Sequence, residues 1–274
     1  MSGNAPRRPA NHGWLWVVEG LKTVRRCPGV FLSMGLIVAV IQMIPMLGGL
    51  VLLVTGPALV AGTIVAAQAA TRGTRPAVGQ LFAMFDAAPR RTEALKLCVP
   101  LLVGKGLALL VLAMAVARRL AASGVEIQEL EGHPEKILAL FGQGDMLPWL
   151  LAAIVLVLLA WTFTALAIPR VALGSERAFD AMRHGVRQVW ASLGAWVVVL
   201  LLLFSALMAV TTVLMLTQWM LVVQIGLYTA LYAVLGPILH AAWRDIGGAG
   251  PTPPPPPAPG PRPTPPPPSG VLEA

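Results

Sequence analysis

Between Val30 and Ala70 the chain has no Asp, Glu, Lys, Arg or His in forty-one consecutive residues. Charge is scarce throughout: 12% of the 274 residues are charged, against about 25% in soluble domains. A fold solvated by water cannot cover itself with so little polar surface, whereas a bundle solvated by lipid can. Cysteine is scarce too. Cys27 and Cys98 lie far apart in sequence, which leaves no disulfide framework and no cysteine metal site, only two free thiols. A cleavable leader is not expected either. The first apolar run begins after twenty-nine residues, too long for a signal's basic region, so the first crossing should stay in the protein. Arg7-Arg8 leads into Pro9-Ala10 and further polar residues, unlike a twin-arginine signal.

The residue sets that intramembrane chemistry needs are also missing. No apolar run holds Asp or Glu at depth, His12 and His184 lie in polar segments, and Gly104-Lys105-Gly106 lacks the spacing of a phosphate-binding loop. The chain therefore reads as a non-enzyme, with no cofactor and no metal ion expected.

What the chain has is apolar length. At about 1.5 Å per residue, ~20 apolar residues span a ~30 Å hydrocarbon layer. Six crossings are expected, near residues 30–45, 50–70, 93–117, 149–169, 195–216 and 220–243. The predicted fold is an all-α integral membrane protein whose six transmembrane helices occupy residues 14–246. Residues 1–13 are polar and aperiodic and are expected to be disordered. Residues 120–147 form an outer loop, and 247–274 a proline-rich tail. Ile44-Pro45-Met46-Leu47-Gly48-Gly49 turns the first crossing into the second. Pro45, Pro57, Pro169 and Pro237 are predicted helix-breaking or kink positions. Ala58, Gly62, Ala66 and Ala70 make a small-residue stripe that lets a neighbouring helix approach.

Three short segments are amphipathic. In the first, Trp14, Val17, Val18, Leu21 and Val24 share a helical face, with Trp16 an exception on the polar side. Leu81, Phe82, Met84 and Phe85 form a second apolar patch. From Ser175 to Ala191, Phe179, Met182, Val186, Val189 and Trp190 oppose Arg177, Asp180, His184, Arg187 and Gln188. Such segments suit helices lying in the membrane surface; the competing reading is a cap packed on protein. Each segment precedes a pair of crossings, and each pair's second crossing carries a proline: Pro57, Pro169, Pro237. This suggests three helical-hairpin repeats.

The net charge of +8 would suit nucleic acid if it formed one patch, but the basic residues are spread between the apolar runs, so no nucleic-acid partner is expected. Sixteen of them, among them Arg25, Arg26, Arg72, Arg75, Arg90, Arg91, Arg183 and Arg187, fall on one side of the six-crossing layout. Only Arg118, Arg119 and Lys136 fall on the other. The positive-inside rule then makes both termini cytoplasmic. The outer loop's Glu126, Glu129, Glu131, His133, Glu135 and Asp145 match neither a zinc nor an EF-hand spacing and read as a solvated loop. Thirteen of the eighteen residues from Pro251 to Pro268 are proline; such a tract is a spacer, or a ligand for an aromatic groove on a protein partner.

Lys105 stands out. It falls near the middle of the third crossing, where a charge costs about 2.5–3.5 kcal/mol. Its candidate partners are Gln42, Gln224, Tyr228, Thr162 and Thr164. Together they could form an intramembrane polar site in a transport path or lipid pocket; otherwise Lys105 is a lysine tolerated by local water.

Gly13-Trp14-x-Trp16, Pro28, Ile44-Pro45-x-Leu47-Gly48, Pro57-Ala58-Leu59, Gly73 and Leu81-Phe82 resemble a small family of uncharacterised bacterial multi-pass membrane proteins. The chain is also distantly similar to the membrane domain of some glycerophosphodiester phosphodiesterases. The likeness covers the first ninety residues best. It implies an inner-membrane location and no chemistry, since the phosphodiesterase's catalytic barrel is absent. Arg170 after Pro169 departs from the expected apolar residue. The favoured function is a non-enzymatic membrane scaffold or accessory protein binding lipid or a protein partner. The alternative is a transporter or channel for a small solute.

Overall fold

The computed structural model describes residues 8–45, 47–86, 88–123, 146–174, 176–215 and 220–248. Residues 1–7 of the polar N-terminus, most of the outer loop, residues 216–219 and all but the start of the proline-rich tail lie outside them. Among the described residues every regular element is helical: α1 (Asn11–Arg26), α2 (Pro28–Gln42), α3 (Leu47–Thr71), a 3-10 turn (Val78–Phe82), α4 (Ala88–Lys96), α5 (Cys98–Ser123), α6 (Leu147–Thr164), α7 (Ala167–Gly174), α8 (Ala178–Ala191), α9 (Leu193–Met215) and α10 (Met220–Trp243), followed by a wide turn over Arg244–Gly248.

Helix α3 is the central post. Two-thirds (67%) of its most apolar window is buried within the protein, against 22–39% in the three other long apolar helices. The cause is its small residues. Ala58, Gly62, Ala66 and Ala70 are all buried, as the stripe predicts, and Ala61 and Ala67 extend the packing surface around the helix. Helices α2, α5, α7 and α10 pack on it, together with the 3-10 turn. Gly73 ends the helix with φ +80°, a left-handed conformation that glycine adopts without a Cβ clash. The Thr74 amide then reaches back to the Ala69 carbonyl at 3.0 Å.

Among the described residues, four helical stretches are long and apolar enough to cross a membrane unaided: Leu47–Thr71, Ala88–Ser123, Leu147–Gly174 and Leu221–Gly247. Two more arise only if bent pairs are joined. Helices α1 and α2 meet at 104°, and α8 and α9 at 88°. Bends of this size make each pair a broken span or a re-entrant loop. The middle amphipathic segment differs. Its apolar patch is the 3-10 turn, with Leu81 and Met84 buried and Phe82 exposed, and α4 leads into α5 with only Leu97 between them.

The four prolines do different work. Pro45 lies between α2 and α3. Pro169 breaks the fourth apolar run: α6 ends at Thr164 and α7 begins at Ala167. The gap holds Ala165, whose carbonyl would collide with the ring four residues later. Pro57 and Pro237, by contrast, lie inside the continuous helices α3 and α10. At the N-terminus α1 begins at Asn11, three residues before the expected start at Trp14.

Helix α1 is rotated from the orientation its apolar pattern suggests, whereas α8 keeps its polar face outward and buries Met182 and Val189 of its apolar face. In α1 the buried residues are Gly13, Trp16, Gly20 and Thr23. Trp16 is 2% exposed and Trp14 54%. In α8, Ala178, Ala181, Met182, Gly185 and Val189 are buried while Phe179 and Trp190 are exposed. Small residues let each helix lie close on the bundle. A methyl group on Gly13 would run into the Ala195 carbonyl, and one on Gly20 into Ile238. In α1, Trp14 and Leu21 of the apolar stripe are exposed, while Val17 and Val24 pack against the core.

Candidate functional site

Helices α1, α4 and α8 gather with the C-terminal ends of α3, α7 and α10, and this end carries the structured polar contacts. The largest centres on Asp245, just past the last helix. Its Oδ2 accepts a hydrogen bond from Trp16 Nε1 at 2.9 Å and lies 2.8 Å from His12 Nδ1. Its Oδ1 is 3.5 Å from an Arg8 guanidinium nitrogen, and the same arginine donates to the Asp245 backbone carbonyl. Trp16 also stacks at a tilt on Trp196 of α9, with ring centroids 5.5 Å apart. One acid thus fastens the first helix to the end of the last. The sequence held two signals for it: a tryptophan out of phase with its neighbours, and a lone acid immediately after the sixth apolar run.

A second set joins α4, α7 and α8. Glu93 accepts the Ala178 amide at 2.7 Å, which caps the N-terminus of α8, and pairs with Lys96 at 2.6 Å. Arg170, directly after Pro169, pairs with Glu176 at 2.8 Å.

The third feature is a cleft of about 740 Å³ at the elbow between α1 and α2, facing the C-terminal end of α3. Arg26, Cys27, Pro28, Ala70, Thr74 and Arg75 line it, with no acidic side chain among its lining residues. Arg26 donates through Nη1 to the Ala70 carbonyl at 3.3 Å.

The intramembrane polar residues are scattered. Lys105 is exposed on the outer side of α5, while its neighbour Gly104 faces inward against Ala160 of α6. Helix α5 packs chiefly on α6, with smaller contacts to α3 and α4. Gln42 is half-buried at the end of α2, and Gln224 and Tyr228 are half-buried on α10. Helices α2 and α10 pack together, but Lys105 does not join them. The hydroxyls of Thr162 and Thr164 donate to carbonyls of their own helix.

The fold defines a class: an all-helical protein with four to six helices long and apolar enough to cross a membrane. Comparison with family models, with curated proteins and with solved structures gives no match.

Proposed function

We propose that the chain is a six-crossing bacterial inner-membrane protein with both termini cytoplasmic. It would act as a non-enzymatic scaffold that binds lipid, and through its proline-rich tail a protein partner. The observation that carries this reading is the burial of α3 at the centre of the bundle, with Lys105 exposed on the outside of α5. The exposed Trp14, Leu15, Leu21, Phe179 and Trp190 of α1 and α8 add apolar surface suited to the headgroup boundary. Sidedness rests on the sixteen-to-three basic asymmetry.

The repeat reading gains support from three close approaches. Gly20 of the first amphipathic segment lies on Ile238 beside Pro237, Leu81 of the second on Gly62 beyond Pro57, and Gly185 of the third on Leu166 and Ala167 before Pro169. Each segment rests on a proline-bearing crossing, and the first rests on the last, which closes the set into a ring.

A transporter would need its intramembrane polar groups to converge. Flux of small anions into proteoliposomes separates the two readings. The scaffold should leave uptake equal to that of protein-free vesicles, and a saturable flux would overturn it.

A further inference from the structure

We infer that the elbow cleft is a phosphate-binding site for the headgroup of an anionic lipid, a reading that rests on the membrane scaffold proposed above. Two arginines line the cleft, and among the described residues neither has a carboxylate partner. Arg26 uses one of its five N–H donors on the Ala70 carbonyl, which anchors the side chain and leaves the others available. Arg75 faces the cleft from the segment after α3. Guanidinium groups suit phosphate because their paired donors match its oxygens.

Depth selects the source. The cleft lies where the uncharged stretch from Val30 to Ala70 begins and ends, since both of those residues line it. In a bilayer that level is the boundary between hydrocarbon and headgroups. Basic pockets between helices at this level are suited to anionic headgroups. A volume of about 740 Å³ is within the roughly 300–1,000 Å³ range of small-ligand sites. A free phosphate could use the same arginines, so the test must tell the two apart.

Cys27 lines the cleft and is half-buried, while Cys98 is buried within the bundle. The full-length protein in nonionic detergent should therefore show slower maleimide alkylation of Cys27 when dioctanoyl phosphatidylglycerol is added, with dioctanoyl glycerol inert. Inorganic phosphate protecting at equal concentration would identify free phosphate as the ligand; protection by the phospholipid alone identifies the headgroup. The Arg26→Gln, Arg75→Gln double variant should raise the protecting concentration about tenfold or more. The Arg90→Gln, Arg91→Gln variant loses the same charge in α4, away from the cleft, and should not. Protection by dioctanoyl glycerol, no protection at all, or an equal shift in the α4 variant would each overturn the site. If the cleft variant fails to fold, the unmodified protein's protection by phospholipid against glycerolipid still decides. Resistance of the protein to alkaline extraction from membranes is read in parallel. Extraction sinks the membrane reading, whereas retention without protection sinks only the site.

Discussion

Asp245 holds the N-terminal helix with one carboxylate, through Trp16, His12 and Arg8. Hydrogen bonds to a charged group are worth about 1.5–3 kcal/mol each when buried, and this one is partly exposed. Asp245→Ala should therefore lower stability by about 1–3 kcal/mol, read as a fall in detergent melting temperature with a red shift of tryptophan emission as Trp16 loses its partner. Asp245→Asn keeps an acceptor and should cost less. Trp14→Phe, on the exposed side of the same helix, should stay within about 0.5 kcal/mol; an equal loss there would mean that α1 packs on its other face. Lys105 makes the opposite case. It is exposed on the outside of α5, so in the proposed membrane protein Lys105→Met removes a penalty of about 2.5–3.5 kcal/mol and strands no partner among the described residues. The variant should be at least as abundant and as thermally stable as the parent. A destabilised Met variant, or one that loses a deletion phenotype's rescue, would restore Lys105 to a functional interior.

At the scale of the element, both amphipathic helices were legible as helices, α8 largely in its orientation and α1 not. Hydrophobic periodicity identifies the face that avoids water, and in a membrane that face can point to lipid while small residues take the protein side. Trp16 was the exception to the apolar stripe of α1; together with Gly13, Gly20 and Thr23 it is that helix's buried surface. The same limit applies to the prolines. Pro169 breaks its helix and Pro57 does not, and the neighbouring sequence does not separate them. The stripe on α3 was readable because its small residues recur at every fourth position, the spacing of a close helix contact. The elbow cleft was not readable, since Arg26 and Arg75 meet only through the bend between α1 and α2. Docking through glycine makes a testable contrast. Gly20→Leu and Gly185→Leu should each force a helix off its seat and cost about 1–3 kcal/mol, seen in melting temperature and in faster proteolysis of α1 or α8. Gly29→Ala, where a Cβ would meet nothing within 4 Å, should stay within about 0.5 kcal/mol. Similar losses at all three positions would mean that helix packing is not what these glycines serve.

For the whole molecule, the number of crossings turns on the two bent pairs. If α2 and α9 each cross, the count is six and both termini share a side; if neither does, the count is four and the layout between them changes. The bends of 104° and 88° are those of a broken span or a re-entrant loop, and the proposed six-crossing layout takes α2 and α9 as the upright partners of α1 and α8. The basic residues agree, since α1, α4 and α8 carry Arg25, Arg26, Arg90, Arg91, Arg183 and Arg187 and gather at one end of the bundle. Cysteine labelling of intact cells tests this directly. A membrane-impermeant maleimide should reach a His133→Cys variant in the outer loop and miss an Asp180→Cys variant in the first turn of α8, until the cells are opened. The native Cys27 and Cys98 must stay unlabelled in the same cells, Cys27 by sidedness and Cys98 by burial. Labelling at 180 and protection at 133 would invert the protein, and labelling at both would break the six-crossing layout. Since the phosphate site depends on the same end facing the cytoplasmic leaflet's anionic lipids, an inverted result would also move the elbow cleft to the other leaflet.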